Sequence, residues 1–135
     1  MTEIQAAAPP VIGVVDDDDS LCRSVSRLFR ASGYRCVTYH SAEAFLGDQA
    51  RSLVDCLVVD VQLDGMSGID LLQRLPSTGL HTPVVLMTAQ ESRRGDNVDD
   101  LVNGATTVRK SASGEELLRA VREKLQRFFG GGHHV

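Results

Sequence analysis

Apolar positions along the chain follow two alternating patterns, short continuous runs and longer stretches with helical spacing. Continuous apolar runs of strand length are typical of strands that are covered on both faces. They predict five strands, over residues 11–15, 35–39, 55–59, 83–87 and 105–109. The amphipathic stretches predict five helices, over residues 20–32, 41–46, 67–75, 91–103 and 113–128.

Polar residues stand where several of these helices are predicted to begin. Ser41 and Ser67 can each act as an N-cap, and one residue of the segment 18–20 can cap the first helix. Ser113 and Glu116 have the spacing of a capping box at the start of the last helix. These signals support the helix boundaries that the apolar periodicity gives.

The alternation of strands and helices predicts an α/β fold. Right-handed crossovers between parallel strands place helices on both faces, so we expect a doubly wound five-stranded parallel sheet. Residues 1–10 are expected to form a flexible lead, residues 11–129 the folded domain, and residues 130–135 a tail or linker remnant.

Composition narrows the functional classes. A chain of 135 residues fits one domain with one substantial core, and the aromatic fraction of 4% without Trp predicts that this core is aliphatic. The net charge of −4 argues against a nucleic-acid-binding surface. No apolar run approaches the roughly 20 residues that span a bilayer, and no signal peptide is recognisable.

The three cysteines, Cys22, Cys36 and Cys56, do not have the spacing of a metal site. We interpret them as buried thiols in a reducing compartment, which predicts a cytoplasmic protein.

Chemistry-bearing residues follow the predicted strands. Because ligands of open parallel sheets bind beyond the carboxyl ends of the strands, we expect a binding site at these positions. They hold Asp16 and Asp17 after the first strand, Asp60 after the third, Thr88 and the small Ala89 after the fourth, and Lys110 after the fifth.

Three carboxylates at one sheet edge predict a bound cation, because clustered acids repel one another without one. Oxygen donors of this kind suit Mg²⁺. The expected ligands are Asp17 and Asp60 directly, Asp16 through a water, and the backbone carbonyl of Gln62. Lys110 and Thr88 can both bind a phosphoryl oxygen.

Each of these residues also has an ordinary structural interpretation. The run of four aspartates could be a solvated loop with an N-cap, Asp60 a turn residue, Thr88 a strand-end hydroxyl bonded to backbone, and Lys110 a surface lysine. Their joint occurrence at strand ends favours a site.

Together these residues resemble the receiver domain of two-component response regulators, over residues 11 to about 128. The stretches that carry the resemblance are VVDDD at 14–18, LVVD at 57–60 with Gly68 eight residues on, LMTA at 86–89, Gly104-Ala105, and Lys110. The order of residues over 16–32 is most similar to receivers that precede a helix-turn-helix output domain.

The resemblance implies a flavodoxin-like strand order of 2-1-3-4-5 and a signalling role, not that of a classical enzyme. Asp60 would accept a phosphoryl group from a histidine kinase or phosphotransfer protein with Mg²⁺, and Ala89 would belong to the binding site. Thr88 and Lys110 would then shift a protein-interaction surface formed by the predicted fourth helix, fifth strand and fifth helix. The resemblance also allows two further partners, an output domain and a second copy of the chain in a homodimer. We expect no contact of this domain with nucleic acid or membrane.

Three positions depart from the family pattern. Ser111 replaces the proline that usually follows the lysine with a cis bond, and a non-proline cis bond costs about 3 kcal/mol. Thr107 replaces an aromatic residue that reports phosphorylation, so relay through that aromatic is absent. Asp64 replaces a proline, which predicts a more mobile loop over 62–67.

Two rival functions remain at this point. A degenerate receiver could bind partners without phosphorylation, through the same surface. A small phosphohydrolase with an aspartyl-phosphate intermediate would need a second acid two residues after Asp60, and Gln62 stands there instead.

Overall fold

A computed structural model of the protein describes residues 8–79, 82–89, 106–110 and 113–126. The strands are β1 (Val11–Val15), β2 (Arg35–Tyr39), β3 (Cys56–Asp60), β4 (Val84–Thr88) and β5 (Thr106–Arg109). The helices among these residues are α1 (Asp19–Ala31), α2 (Ala42–Gly47), α3 (Gly68–Arg74) and α4 (Gly114–Leu125). The helix predicted over 91–103 lies outside the described residues.

The five strands form one parallel sheet in the order β2-β1-β3-β4-β5, which confirms the predicted fold. Val15 pairs with Tyr39 on one side and with Val59 on the other, so β1, β2 and β3 end at nearly the same level. This level brings the residues that follow β1 close to the last residue of β3.

Two predicted strand ends lie one residue too early. Asp60 still pairs with Met87, and Thr88 pairs with Arg109, so both polar residues are the last residues of their strands. The apolar pattern stops before the backbone pairing does, because the sheet continues as long as a neighbouring strand supplies hydrogen-bond partners.

A hydrophobic core lies on each face of the sheet. One contains residues of α1 and α4, with Phe29 as its largest fully buried side chain. The other contains residues of α2 and α3, with Phe45 in the same role. Most other buried side chains are aliphatic, as predicted.

The cysteines support the prediction of buried thiols in two of three cases. Cys22 and Cys56 are buried, whereas Cys36 is half-buried, and all three are free. Burial raises the pKa of Cys22 to about 11 and that of Cys56 to about 12, so both remain protonated at neutral pH.

The predicted caps are present. Asp18 caps α1 by accepting from the backbone N–H groups of Ser20 and Leu21, and Ser41 accepts from Ala44. Further caps are formed by Ser67, in a full capping box with Asp70, and by Ser113, which accepts from the N–H of Glu116 and so forms one half of the predicted capping box.

None of the described helices is long and apolar enough to cross a membrane.

Candidate functional site

Three carboxylates meet at the carboxyl edge of the sheet. Asp16 and Asp17 follow β1, and Asp60 ends the adjacent β3; one oxygen from each lies within 4.8 Å of the others. Asp16 is 0% exposed and Asp60 is 3% exposed, while Asp17 faces solvent. The sheet order therefore brings together acids that are more than forty residues apart in the chain.

Asp16 is fixed by several backbone contacts. Its N–H donates to the carbonyl of Tyr39 at 3.0 Å, and its Oδ1 accepts from the N–H of Asp18 at 2.9 Å. Burial raises the pKa of Asp16, and the charge of Asp60 adds to this effect, whereas the N–H of Asp18 and the ammonium of Lys110 oppose it. Asp16 is thus a carboxyl group whose charge needs compensation.

Lys110 supplies part of that compensation. Its Nζ lies 2.8 Å from Asp60 Oδ2 and 3.3 Å from Asp16 Oδ2. Partial burial acts to lower the Lys110 pKa, but the two ion pairs outweigh it and raise the pKa above its usual value. Lys110 is therefore a charged donor held against Asp60.

The acid cluster fits a hard divalent cation. Lys110 pairs with two of the three carboxylates, and within the described part of the chain the buried Asp16 Oδ2 accepts no well-aligned hydrogen bond despite its ion pair with Lys110. All three donors are carboxylate oxygens, which suit Mg²⁺ better than softer metals. Because Asp17 is exposed, a metal ion and its water ligands can reach the cluster from solvent.

Gln62, Thr88 and Ala89 lie at or just after the ends of β3 and β4. The N–H of Gln62 donates to Asp60 Oδ1 at 3.1 Å, so this residue lies directly beside the predicted phospho-acceptor. The carbonyl of Thr88 accepts the N–H of Lys110 at 2.7 Å, which joins the ends of β4 and β5. Ala89 is exposed at the next position.

The loop between β3 and α3 is held through its backbone N–H groups by acidic side chains. The N–H of Asp64 donates to Asp17 Oδ2 at 3.4 Å, and that of Met66 donates to Glu43 Oε2 at 3.0 Å. The Met66 N–H is the main cause of a lowered Glu43 pKa. Glu43 was missed in the sequence, where its place after the Ser41 cap suggests only an acid in the first turn of a helix.

Gly68 is required by the close approach of α3 to β3. A Cβ at this position would overlap the backbone carbonyl of Asp60, and it would lie 3.0 Å from a methyl group of Val59. The resemblance included Gly68 but gave no reason for it. The structure supplies one, since only a glycine allows α3 to begin against the backbone of the predicted phospho-acceptor.

The three departures from the family pattern have different outcomes. Thr107 is half-buried within β5 and pairs with Leu86, so no aromatic ring occupies this position. Asp64 is exposed and contacts the acid cluster through its backbone, and the mobility of its loop stays a prediction. The bond from Lys110 to Ser111 lies outside the described residues.

Comparison with known proteins gives consistent matches. The response regulator protein TodT of Pseudomonas putida is 34% identical over 120 residues, which cover 86% of this chain and 51% of TodT. The structure of the response regulator StyR is similar with a TM-score of 0.77 and 33% identity, covering 88% of this chain and 60% of that one. A beryllofluoride-activated DrrB receiver domain has a TM-score of 0.76 and 27% identity, over 87% of this chain and 98% of that one.

The matches also show how much of each relative this chain covers and which family it belongs to. The chain spans about half or less of the length of the curated relatives it matches. The model of the family described as "Response regulator receiver domain" matches residues 12–122, which include the acid cluster and Lys110. With its parallel sheet in the order 2-1-3-4-5, the chain belongs to the family of response regulator receiver domains.

Proposed function

We propose that Asp60 accepts a phosphoryl group from the phosphohistidine of a histidine kinase or phosphotransfer protein. The observation that carries this proposal is the Asp60 carboxylate itself, 3% exposed at the end of β3, paired with Lys110 at 2.8 Å and adjacent to two further acids. The receiver domain is assigned to residues 11–129, between the lead and the tail.

The transfer forms one bond and breaks another. An Asp60 carboxylate oxygen forms the bond to phosphorus while the P–N bond of the donor breaks, and the electron pair returns to the imidazole nitrogen, which takes up a proton. Lys110 Nζ orients the carboxylate before transfer, and afterwards it can pair with a phosphoryl oxygen with little movement. Positioning and electrostatics therefore supply most of the catalysis.

Asp17 and Asp60 would bind Mg²⁺ directly, Asp16 through a water, and Gln62 through its carbonyl. The ion supplies neutralisation of negative charge on the transferring group. Buried Asp16 supports this assignment, because its Oδ2 has an ion pair with Lys110 but no well-aligned hydrogen bond from any residue that the structure describes.

The response to phosphorylation would start at Thr88 and Lys110. Their backbones are joined by a 2.7 Å hydrogen bond, so movement of either residue displaces the ends of both β4 and β5. Thr88 would donate to a phosphoryl oxygen, with Ala89 beside it leaving space. The shifted surface would contact an output domain, a downstream protein or a second copy, in the cytoplasm.

Incubation with acetyl phosphate and Mg²⁺ tests the proposal. Intact mass should increase by one phosphoryl group, and Asp60→Asn should abolish the gain because the nucleophilic oxygen is lost. Asp55→Asn is a matched control near the opposite end of β3, where Asp55 accepts from the N–H of Val11. This variant should be phosphorylated like the wild type.

Two results would contradict the proposal. The first is the absence of any mass gain in the wild type, together with no effect of Mg²⁺ or beryllofluoride on its NMR spectrum; this would favour a phosphorylation-independent interaction module. The second is a mass gain that persists in Asp60→Asn, which would move the phosphorylation to another residue.

A further inference from the structure

We propose that Glu43 is a positioning residue that holds the segment 62–66 in place beside Asp60 while Mg²⁺ and the phosphoryl group bind. The proposal rests on the proposed function and deepens it. It assigns a role to a side chain of α2 that contributes no atom to the acid cluster.

The first observation is how the loop is anchored. Between Gln62 and Ser67, four backbone N–H groups donate to carboxylates: Gln62 to Asp60, Asp64 to Asp17, Met66 to Glu43, and Ser67 to Asp70. The bond of Met66 is 3.0 Å long, whereas those of Asp64 and Ser67 are both 3.4 Å. Glu43 is thus a well-formed anchor from a separate helix.

The second observation concerns which of these four hydrogen bonds involve carboxylates of the acid cluster. Asp60 and Asp17 belong to the acid cluster, and the proposed function engages both with the metal ion or the phosphoryl group. Metal binding and phosphorylation at these carboxylates would compete with the hydrogen bonds that they accept from the N–H groups of Gln62 and Asp64. Glu43 and Asp70 both lie outside the cluster, so their bonds to Met66 and Ser67 do not compete with the metal ion, and the bond from Met66 to Glu43 is the shorter of the two.

The third observation is the fit of the carboxylate against the loop. Gly65 has a φ of +75°, and a Cβ there would lie 2.8 Å from Glu43 Oε2. The carboxylate therefore packs directly against the glycine before Met66.

A simpler role for Glu43 has to be separated from this one. An acid in the first turn of a helix stabilises that helix through its N-terminal dipole. Glu115 supplies a matched control, because it is the second residue of α4 after the Ser113 cap, as Glu43 is the second residue of α2 after Ser41. A helix-dipole effect alone should be similar at both positions.

The test compares Glu43→Ala, Glu43→Gln and Glu115→Ala in the complete chain. Amide hydrogen exchange of Met66 is measured without Mg²⁺, and the Mg²⁺ Kd is measured by NMR titration. Glu43→Ala should accelerate Met66 exchange roughly tenfold and raise the Mg²⁺ Kd several-fold, because a charge-assisted bond is lost. Glu43→Gln keeps an acceptor oxygen and should show smaller changes, while Glu115→Ala should match the wild type in both measurements.

The outcomes distinguish this proposal from the one it rests on. If the wild type binds Mg²⁺ and is phosphorylated, but Glu43→Ala has the wild-type Kd or the wild-type Met66 exchange rate, the positioning role is overturned and the proposed function stands. Equal effects of Glu43→Ala and Glu115→Ala on the Kd also overturn it. If the wild type neither binds Mg²⁺ nor gains mass, the proposed function fails, and the role of Glu43 fails with it.

Discussion

At the scale of single residues, the tightest steric requirement beside Asp60 falls on Gly68, a residue with no functional group. Its N–H donates to the carbonyl of Val61 at 3.1 Å, and its Cα faces the carbonyl of Asp60. These contacts set the distance between the start of α3 and the end of β3. The space around the predicted phospho-acceptor is therefore determined by backbone packing as well as by charge.

Substitution of Gly68 by alanine should destabilise the protein and slow its phosphorylation. Alanine improves helix propensity by about 1 kcal/mol, but overpacking costs about 1–3 kcal/mol, and the overlapping atom is backbone that cannot rotate away. Urea unfolding and the acetyl phosphate reaction measure the two effects. Gly47→Ala in α2 is the control, because nothing lies within 4 Å of its added Cβ. Equal stabilities of the two variants would show that α3 adjusts without cost.

The difference between charge at strand ends and tertiary packing explains which site residues could be predicted from the sequence. Asp16, Asp60 and Lys110 were predictable, because charged residues at the ends of apolar runs are conspicuous and parallel strands end at one edge. The contact of Glu43 with Met66 depends on where α2 lies relative to the β3–α3 loop. No local pattern encodes such a tertiary contact.

At the scale of secondary-structure elements, the end of β2 is connected to the end of α2 by a partly buried hydrogen bond. The Tyr39 hydroxyl donates to Asp48 Oδ2 at 2.6 Å, and the Tyr39 ring packs edge-on against Phe45 at 5.2 Å. The carbonyl of Tyr39 also accepts the N–H of Asp16. This junction therefore connects α2, which carries Glu43, to the acid cluster.

Tyr39→Phe should weaken this junction in a pH-dependent way. The hydrogen bond from the Tyr39 hydroxyl and, to a smaller extent, that from the N–H of Ala50 lower the Asp48 pKa below its usual value of 3.8. A lowered folded-state pKa stabilises the fold above the unfolded value, and this contribution is lost as pH falls through the folded value. The variant should therefore be less stable at pH 6, and the difference should shrink below pH 3.8.

NMR titration of the Asp48 carboxyl checks this prediction directly. Its pKa should rise toward 3.8 in Tyr39→Phe without fully reaching it, because the bond from Ala50 remains. An unchanged Asp48 pKa would mean that the hydroxyl bond contributes nothing in solution.

Element boundaries show where sequence patterns lose resolution. The apolar runs located all five strands, but β3 and β4 extend one polar residue further because strand pairing continues. The short 3₁₀ helices Arg51–Leu53 and Pro76–Thr78 were not predicted, because three residues are too few for a periodic apolar pattern. Helix starts were predicted better, since Ser41 and Ser67 act through contacts within their own first turns.

At the scale of the whole molecule, one sheet separates two cores, which have no side chain in common among the described residues. Neighbouring residues of β3 face opposite sides, so Val58 belongs to the core with α1 and α4, and Val59 to the core with α2 and α3. The acid cluster lies at the edge where β1 and β3 end. Packing on both faces therefore fixes the strands that carry Asp16 and Asp60.

Two substitutions on opposite faces should act additively on one cooperative unfolding transition. Ile12→Val in the first core should lower the free energy of unfolding by about 0.5–1.5 kcal/mol, and Leu71→Ala in the second by about 2–5 kcal/mol. Both side chains are fully buried and belong to different cores, so the double variant should show their sum within about 0.5 kcal/mol. Urea unfolding followed by circular dichroism measures all three. Two separate transitions, one for each core, would mean that the sheet does not unite the two faces into a single folding unit. Packing on both faces could then not be what fixes the positions of Asp16 and Asp60.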